Sequence, residues 1–206
     1  MVAAYVIMAR ALDTPPTTVE VISVWASLAC VKLARSENIW TMPFGIFAVL
    51  LLGWFFLDVG LVAQGWLQFV FFVPVQILGW WAWARGGPER TEMTITGLSP
   101  KAWLVTVFLA LSSWIMLWSI FATVYESPSY VQWDTSIVAA SVTAQSLMTL
   151  KKKESWWWWT IPVNLSSLGL FIRTELWAFV FLYLFFLANS VLGWRQWTQE
   201  VRDDTR

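Results

Sequence analysis

Charged side chains are scarce in this sequence, and histidine is absent. Only 13% of the 206 residues are charged and 58% are hydrophobic, whereas a soluble domain carries roughly 25% charged residues. The single cysteine, Cys30, has no partner for a disulfide within the chain. Without histidine and with a single cysteine, the chain lacks the usual ligands of zinc and haem and the usual acid–base catalyst. No cofactor is therefore expected. Zero net charge also argues against a nucleic-acid partner.

What the sequence has instead is long apolar runs, with a mean hydropathy of +0.61. Seven segments have about the length that crosses a bilayer, roughly 17–25 residues. They are residues 19–33, 39–57, 62–84, 102–124, 133–150, 156–172 and 176–197. Continuous runs of this length predict helices, because barrel strands would be short and alternating. The expected fold class is an all-α membrane protein with seven transmembrane helices.

The basic residues predict the orientation of these helices. With the N-terminus outside, eleven of the thirteen Lys and Arg residues fall on the cytoplasmic side, and only Arg10 and Arg173 fall outside. Because cytoplasmic loops are enriched in basic residues, we expect an N-out, C-in topology. The predicted location is the inner (cytoplasmic) membrane, crossed several times.

Two short motifs recur at equivalent places. W-T-x-P begins at Trp40 and again at Trp159, and G-W-x-x-W begins at Gly79 and again at Gly193. The pattern predicts one transporter domain, residues 1–206, built from three-helix repeats at 17–84 and 132–198. A linker helix at 101–125 would give both repeats the same orientation, and a binding site is expected at their interface.

A run of four tryptophans, Trp156 to Trp159, precedes Asn164. Aromatic rings with an amide one turn away could stack on and hydrogen-bond to a flat polar heterocycle. Helical spacing places Trp157 with Asn164 on one face and Trp156 with Trp159 on the adjoining face. An aromatic belt at the lipid interface beside Lys153 is the competing interpretation.

Amides inside apolar segments are expected to face the bundle interior, because unpaired amides are costly in hydrocarbon. Gln68, Gln145 and Asn164 could surround one cavity, although helix–helix hydrogen bonding is an alternative role for each. No carboxylate lies near a segment centre, so proton or sodium coupling is not expected. No nucleophile–base pair is recognisable either, and an enzyme is not expected. Pro43 and Pro162 occupy equivalent places and are candidate hinges.

The motifs resemble the PnuC family of vitamin transporters over residues 20 to 198. The resemblance rests on Glu37–Ile46 with its W-T-x-P, on Leu67-Gln68, on Lys152–Trp156 and on both G-W-x-x-W motifs. It implies a SWEET-like 3+1+3 fold, a homotrimer, and facilitated diffusion of nicotinamide riboside that a cytoplasmic kinase traps by phosphorylation. Thiamine or riboflavin is the alternative substrate, and a membrane scaffold that transports nothing is the alternative of another class.

The resemblance and the residue analysis together predict a substrate site. Its candidate residues are Trp40, Gln68, Gln145, Trp156, Trp157, Trp159 and Asn164. The sequence departs from the family pattern W-x-x-W-x-x-x-N, because Asn164 falls one residue late after Trp159. Trp157 has the family distance to Asn164, but Thr160 then stands in the second Trp position, so the sequence leaves both alignments open. Val62-Ala63-Gln64 stands where the family often has Tyr-Ala-Asp, and Leu78 stands where Tyr is common.

Overall fold

A computed structural model describes residues 18–58, 62–86, 92–123, 131–175 and 177–203. These residues form seven helical segments and one isolated parallel β-bridge, between Thr96 and Lys152. The helices are α1 Thr18–Arg35, α2 Thr41–Asp58, α3 Val62–Arg85, α4 Pro100–Phe121, α5 Val131–Thr149, α6 residues 155–173 and α7 Trp177–Asp203. The all-α prediction is confirmed. The predicted boundaries at residues 17, 124, 125 and 176 lie outside the described residues.

Four described helices are long and apolar enough to cross a membrane by length and composition: α2, α3, α4 and the Phe179–Asp203 part of α7. The helices α1, α5 and α6 are less apolar because they carry more polar side chains, and many of these are buried in the bundle. In α5, for example, Asp134, Thr135, Ser141 and Gln145 are all buried. A helix of this kind has a lower mean hydropathy than one surrounded by lipid.

Two of the helices contain a π-helical turn. In α3 the turn is Gln68–Phe72, between α-helical Val62–Leu67 and Val73–Arg85, and in α6 it is Trp159–Leu165, between Ser155–Trp158 and Ser166–Arg173. A proline accompanies each turn, Pro74 just after the first and Pro162 within the second. Proline cannot donate the hydrogen bond that an α-helix needs, so the backbone adopts a wider turn there.

Pro43, the other proposed hinge, is in a different situation. It is the third residue of α2, where a backbone N–H has no helical partner even in a residue other than proline. The expectation that Pro43 and Pro162 act alike is therefore wrong in one respect. Pro162 changes the hydrogen bonding inside a helix, and Pro43 does not.

The helices pack as a ring. In chain order α1 contacts α2, α2 contacts α3, α3 contacts α5, α5 contacts α6, α6 contacts α7, and α7 returns to α1. We call α1–α3 the first unit and α5–α7 the second unit. The remaining helix, α4, packs outside the ring against α5, and Ala110 is its one buried hydrophobic side chain among the described residues. The interior of the ring is the place where a site can form.

Candidate functional site

A cavity of about 150 Å³ lies inside the ring and is lined by both units. A single water needs at least about 10–15 Å³ on this scale, so the cavity has room for several waters or one small organic molecule. Within the described part of the chain, no side chain that lines it is charged. Its polar groups are amides, hydroxyls and the Cys30 thiol, and its aromatic groups include Trp83, Trp156 and Trp159.

The structure brings five of the seven predicted site residues together at this cavity. Gln68 contributes from α3, Gln145 from α5, and Trp156, Trp159 and Asn164 from α6. All but Trp159 are buried, and the indole of Trp159 stacks on Phe72 with ring centroids 6.4 Å apart and an interplanar angle of 25°. The amides and the indoles therefore face one common space, as the sequence predicts for a ligand site.

Trp40 and Trp157, the other two predicted site residues, do not line the cavity. Trp40 is 62% exposed and precedes the start of α2, where its backbone N–H donates to Asn38 Oδ1 over 3.0 Å. Trp157 points away from the ring and packs edge-on against Trp103 of α4, with centroids 5.2 Å apart. One residue along a helix turns the side chain by about 100°, so Trp157 faces α4 instead of the cavity.

The π-helical turn accounts for the one-residue offset of Asn164. In an α-helix, Trp159 would share its face with the residue four positions later, Val163. The π turn Trp159–Leu165 holds one more residue per turn, so residues five apart come to the same side. Trp156, Trp159 and Asn164 accordingly all line the cavity. The spacing that looked irregular in sequence is regular on the wider helix.

A short hydrogen-bond chain orients Asn164. Its Nδ2 donates to Ser190 Oγ of α7 over 3.3 Å, and Thr160 Oγ1 lies 3.0 Å from the same oxygen. Ser190 in turn donates to the backbone oxygen of Leu187 over 2.9 Å. One N–H of the amide is thus engaged, and the amide oxygen of Asn164 has no partner among the described residues.

Four buried polar atoms of cavity-lining residues have no hydrogen-bond partner within the described residues. They are Asn164 Oδ1, Gln64 Nε2, Trp156 Nε1 and Ser27 Oγ. A buried polar group without a partner costs about 1–3 kcal/mol, so native proteins rarely retain several in one place. Here they surround a cavity, where water or a bound molecule can satisfy them. The set contains one acceptor, two donors and one hydroxyl.

The sequence analysis left several cavity residues out of the site. Gln76 and Asn189 are buried amides of the lining, Gln64 stands where the family often has Asp, and Ser190 precedes the second G-W-x-x-W motif by three residues. Amides inside apolar helices were the available signal for the first two. Ser190 carried no such signal, because serine is common at ordinary helix contacts.

One end of the ring is closed by tryptophans, and we call it the tryptophan end. Its buried hydrophobic cluster is Ala34, Met42, Trp83, Ile95, Met148, Trp156 and Trp197. Indole N–H groups tie backbone oxygens across the two units: Trp83 Nε1 donates to Met148 O over 3.3 Å, and Trp197 Nε1 donates to Arg35 O over 3.3 Å. Trp156 packs edge-on against Trp197, with centroids 5.5 Å apart.

An ion pair crosses between the units at the tryptophan end. Lys151, 4% exposed, binds Glu37, and its Nζ also lies 4.9 Å from the centre of the Trp83 ring. Both residues sit two positions beyond the end of a helix, α1 for Glu37 and α5 for Lys151, and both have positive φ, 52° and 45°. Glycine is the usual residue in this left-handed position, so charged residues here adopt a costly backbone to reach one another.

The opposite end is closed by phenylalanines, and we call it the phenylalanine end. Its buried cluster is Val24, Leu28, Phe56, Phe171, Phe179 and Leu182. Phe56 is 1% exposed and lies 6.4 Å from Phe171 and 5.5 Å from Phe179, measured between ring centroids. The cluster draws on α1, α2, α6 and α7, so it too joins the two units. The cavity lies between these two clusters.

A helical ring around an uncharged, aromatic cavity, with several helices of membrane-crossing length, is the architecture of a membrane transport protein. The chain belongs to the nicotinamide mononucleotide transporter family, whose sequence profile matches residues 17–199. The family consists of membrane transporters and not enzymes. The multi-pass membrane location predicted from composition agrees with this membership.

Two curated relatives and one solved structure show the same kinship. The nicotinamide riboside transporter PnuC of Escherichia coli (strain K12) is 28% identical, over 90% of this chain and 87% of its own length. The transporter of the same name from Neisseria mucosa is 24% identical, over 85% of this chain and 70% of its own length. The crystal structure of the vitamin B3 transporter PnuC superposes with a TM-score of 0.80 at 22% identity, over 98% of this chain and 90% of that one, which shows a shared fold.

Proposed function

We propose that this protein carries nicotinamide riboside across a membrane by facilitated diffusion. The observation that carries the proposal is the cavity, in which Trp156 and Trp159 lie beside an asparagine whose oxygen has no partner among the described residues. Nicotinamide riboside has a positively charged aromatic ring, a carboxamide that donates and accepts hydrogen bonds, and a sugar with hydroxyls. The names of the curated relatives point to the same molecule.

The chemistry of the cavity matches the base of this ligand. The pyridinium would stack on the indoles, where cation–π attraction is worth about 0.5–2 kcal/mol for each good contact. Asn164 Oδ1 would accept from the carboxamide NH₂, because this oxygen is buried and has no partner among the described residues. Gln68 and Gln145 would take other polar groups of the ligand. A phosphate group would meet no cation among the described lining residues, which favours the unphosphorylated nucleoside.

The helix order supports a seven-span, 3+1+3 topology, with α1–α3 and α5–α7 as parallel repeats and α4 as the linker. We place the N-terminus outside and the C-terminus inside, in the inner membrane, so that the tryptophan end faces the cytoplasm. That end carries Lys32, Arg35, Arg85, Lys101, Lys151, Lys152, Lys153, Arg195 and Arg202 of the described residues, and Arg173 lies at the opposite end. This distribution is the one that the positive-inside rule favours.

Transport would be passive and its direction set by later metabolism. No buried carboxylate faces the cavity among the described residues, so a coupling ion has no obvious ligand there. Phosphorylation by a cytoplasmic kinase would trap the substrate. The family resemblance further implies a homotrimer. Motion of the second unit against the first, with the π turn at Pro162 as the flexible point, would expose the cavity alternately.

Counterflow into proteoliposomes tests the function directly. Purified protein is reconstituted with unlabelled nicotinamide riboside inside, and uptake of the labelled compound is measured from outside. We expect saturable exchange without a proton or sodium gradient. The variant Trp159→Phe should raise the half-saturation concentration several-fold, because a smaller ring weakens stacking. The matched control Trp157→Phe makes the same chemical change outside the cavity and should leave exchange near the parental rate.

Thiamine and riboflavin serve as competitors in the same assay. Exchange of either vitamin in place of nicotinamide riboside would remove the proposed substrate and keep the family function. A scaffold that transports nothing would show no saturable exchange with any of the three, and Asn164→Ala would have no effect on ligand-dependent quenching of tryptophan fluorescence.

A further inference from the structure

Two of the cavity amides, Gln76 and Asn164, lie at positions that the repeated motifs relate to small residues in the other unit. Aligned on W-T-x-P, Gly45 of α2 corresponds to Asn164 of α6. Aligned on G-W-x-x-W, Gln76 of α3 corresponds to Ser190 of α7, since each lies three residues before the glycine of its motif. In the first unit the small residue is on α2 and the amide is on α3. In the second unit the amide is on α6, which corresponds to α2, and the small residue is on α7, which corresponds to α3.

Gly45 and Gln76 are in direct contact, as are Asn164 and Ser190. A Cβ atom added to Gly45 would lie 2.2 Å from Gln76 Nε2 and 3.2 Å from Cys30 Sγ. The Gln76 side chain therefore occupies the space that only glycine leaves free, just as Asn164 is held against the small Ser190. Gln76 is 6% exposed and lines the cavity, so this close packing holds an amide at the wall of the site.

The surroundings of the two amides differ in chemistry. Asn164 shares its wall with Trp156 and Trp159, which suit a flat ring. Beside Gln76 lie Cys30 and Thr41, whose hydroxyl lies 3.4 Å from the Cys30 sulfur and donates to the Cys30 backbone oxygen over 2.9 Å. Small polar groups of this kind hydrogen-bond hydroxyls and offer no stacking surface.

We propose that Gln76, seated against Gly45, binds the sugar hydroxyls of the transported nucleoside while the Asn164 wall binds its base. The inference rests on the proposed function and adds a residue that decides between a nucleoside and a compound lacking the sugar. Cavity-lining Ser27, whose hydroxyl has no partner among the described residues, lies one turn from Cys30 on α1 and extends the same polar wall.

The test compares two ligands in two variants. Nicotinamide riboside and its analogue lacking the 2′ and 3′ hydroxyls compete for counterflow of the labelled parent compound. In the parental protein we expect the analogue to bind roughly tenfold more weakly, because one or two hydrogen bonds are lost. In Gln76→Ala the parent compound should lose about the same factor, and the analogue should lose almost nothing.

Asn164→Ala and Gln196→Ala are the controls. Asn164→Ala should weaken both ligands alike, because it removes a contact to the base, and Gln196→Ala removes an exposed amide from α7 and should change neither. Gly45→Ala displaces Gln76 without altering it and should reproduce the Gln76→Ala pattern. If Gln76→Ala does not fold, Gln76→Asn shortens the side chain by one methylene and is read by fluorescence quenching in detergent.

Two results overturn the inference. One is no loss of affinity for either ligand in Gln76→Ala and Gln76→Asn, and the other is an equal loss for both ligands. Failure of the parental protein to exchange nicotinamide riboside is a separate outcome, because it would remove the proposed function before any variant is compared.

Discussion

The two ends of the helical ring are packed with different chemistry. At the tryptophan end, an ion pair and two indole N–H groups bind specific partners across the units. At the phenylalanine end, Phe56, Phe171 and Phe179 meet by packing. Hydrogen bonds and ion pairs require a defined geometry and are lost when their atoms separate, whereas aromatic packing tolerates small displacements. In a carrier, the tryptophan end would open when the ion pair and the indole hydrogen bonds are lost. The phenylalanine end would open when its rings slide apart.

Cys30 offers a reporter for both ends. It is the only cysteine in the sequence and lines the cavity. A membrane-impermeant maleimide added to right-side-out or inside-out vesicles would therefore report access from each side separately. Each variant below is measured in this way, and thermal unfolding in detergent follows its stability.

The largest effect is expected for Phe56→Ala at the phenylalanine end. Removing a fully buried ring costs about 3–5 kcal/mol through lost packing and the cavity left behind. We expect a lower melting temperature and faster Cys30 labelling from the outer side alone. Phe108→Ala, at a 68% exposed position on α4, makes the same change without loss of internal packing and serves as the control. Equal labelling from both sides would contradict a seal at this end.

Glu37→Gln should have the next largest effect, at the tryptophan end. Loss of one partner leaves the buried Lys151 ammonium uncompensated, and because Glu37 is 25% exposed we expect a cost of about 2 kcal/mol. If that cost falls on the closed state, Cys30 labelling from the cytoplasmic side rises roughly 30-fold.

A control and a rescue accompany this variant. Glu175→Gln removes the same charge from the same left-handed backbone conformation, φ 57°, at an exposed position, and should change little. The double variant Glu37→Lys with Lys151→Glu restores an ion pair and should recover slow labelling in part. No recovery would mean that the pair acts through something other than its charge.

Trp83→Phe should have the smallest effect. The change keeps an aromatic ring near Lys151 and removes the indole N–H that donates to Met148 O. One hydrogen bond contributes about 1 kcal/mol, so cytoplasmic labelling of Cys30 should rise roughly fivefold. Trp81→Phe, on an exposed face of the same helix, is the matched control. An increase as large as that of Glu37→Gln would contradict the assignment of a single hydrogen bond to the Trp83 indole.

Much of the candidate site was predictable, because the residue type alone indicates that a side chain faces the interior. Gln68, Gln145 and Asn164 are amides within apolar helices, and such residues face the interior whatever the details of packing. The two tryptophans that joined them could not be chosen from the run of four. That choice depended on the π-helical turn, which arises where Pro162 removes a donor and neighbouring helices hold the backbone in place.

Contacts between distant residues account for what was missed. Ser190 matters because α7 brings it to Asn164, and Gln76 matters because Gly45 leaves room beside it. Neither relation is visible in a window of neighbouring residues. The pairing of Glu37 with Lys151 likewise depends on two helix ends meeting across the ring.

The sequence by itself determined that this is an all-α protein for an apolar environment, because hydrophobic runs, scarce charge and repeated motifs act locally or through composition. The tertiary structure decided which residues form the cavity, because that depends on how each helix is rotated toward its neighbours. A single extra residue in one turn of α6 brought Trp159 and Asn164 to the same face and left Trp157 on the outside.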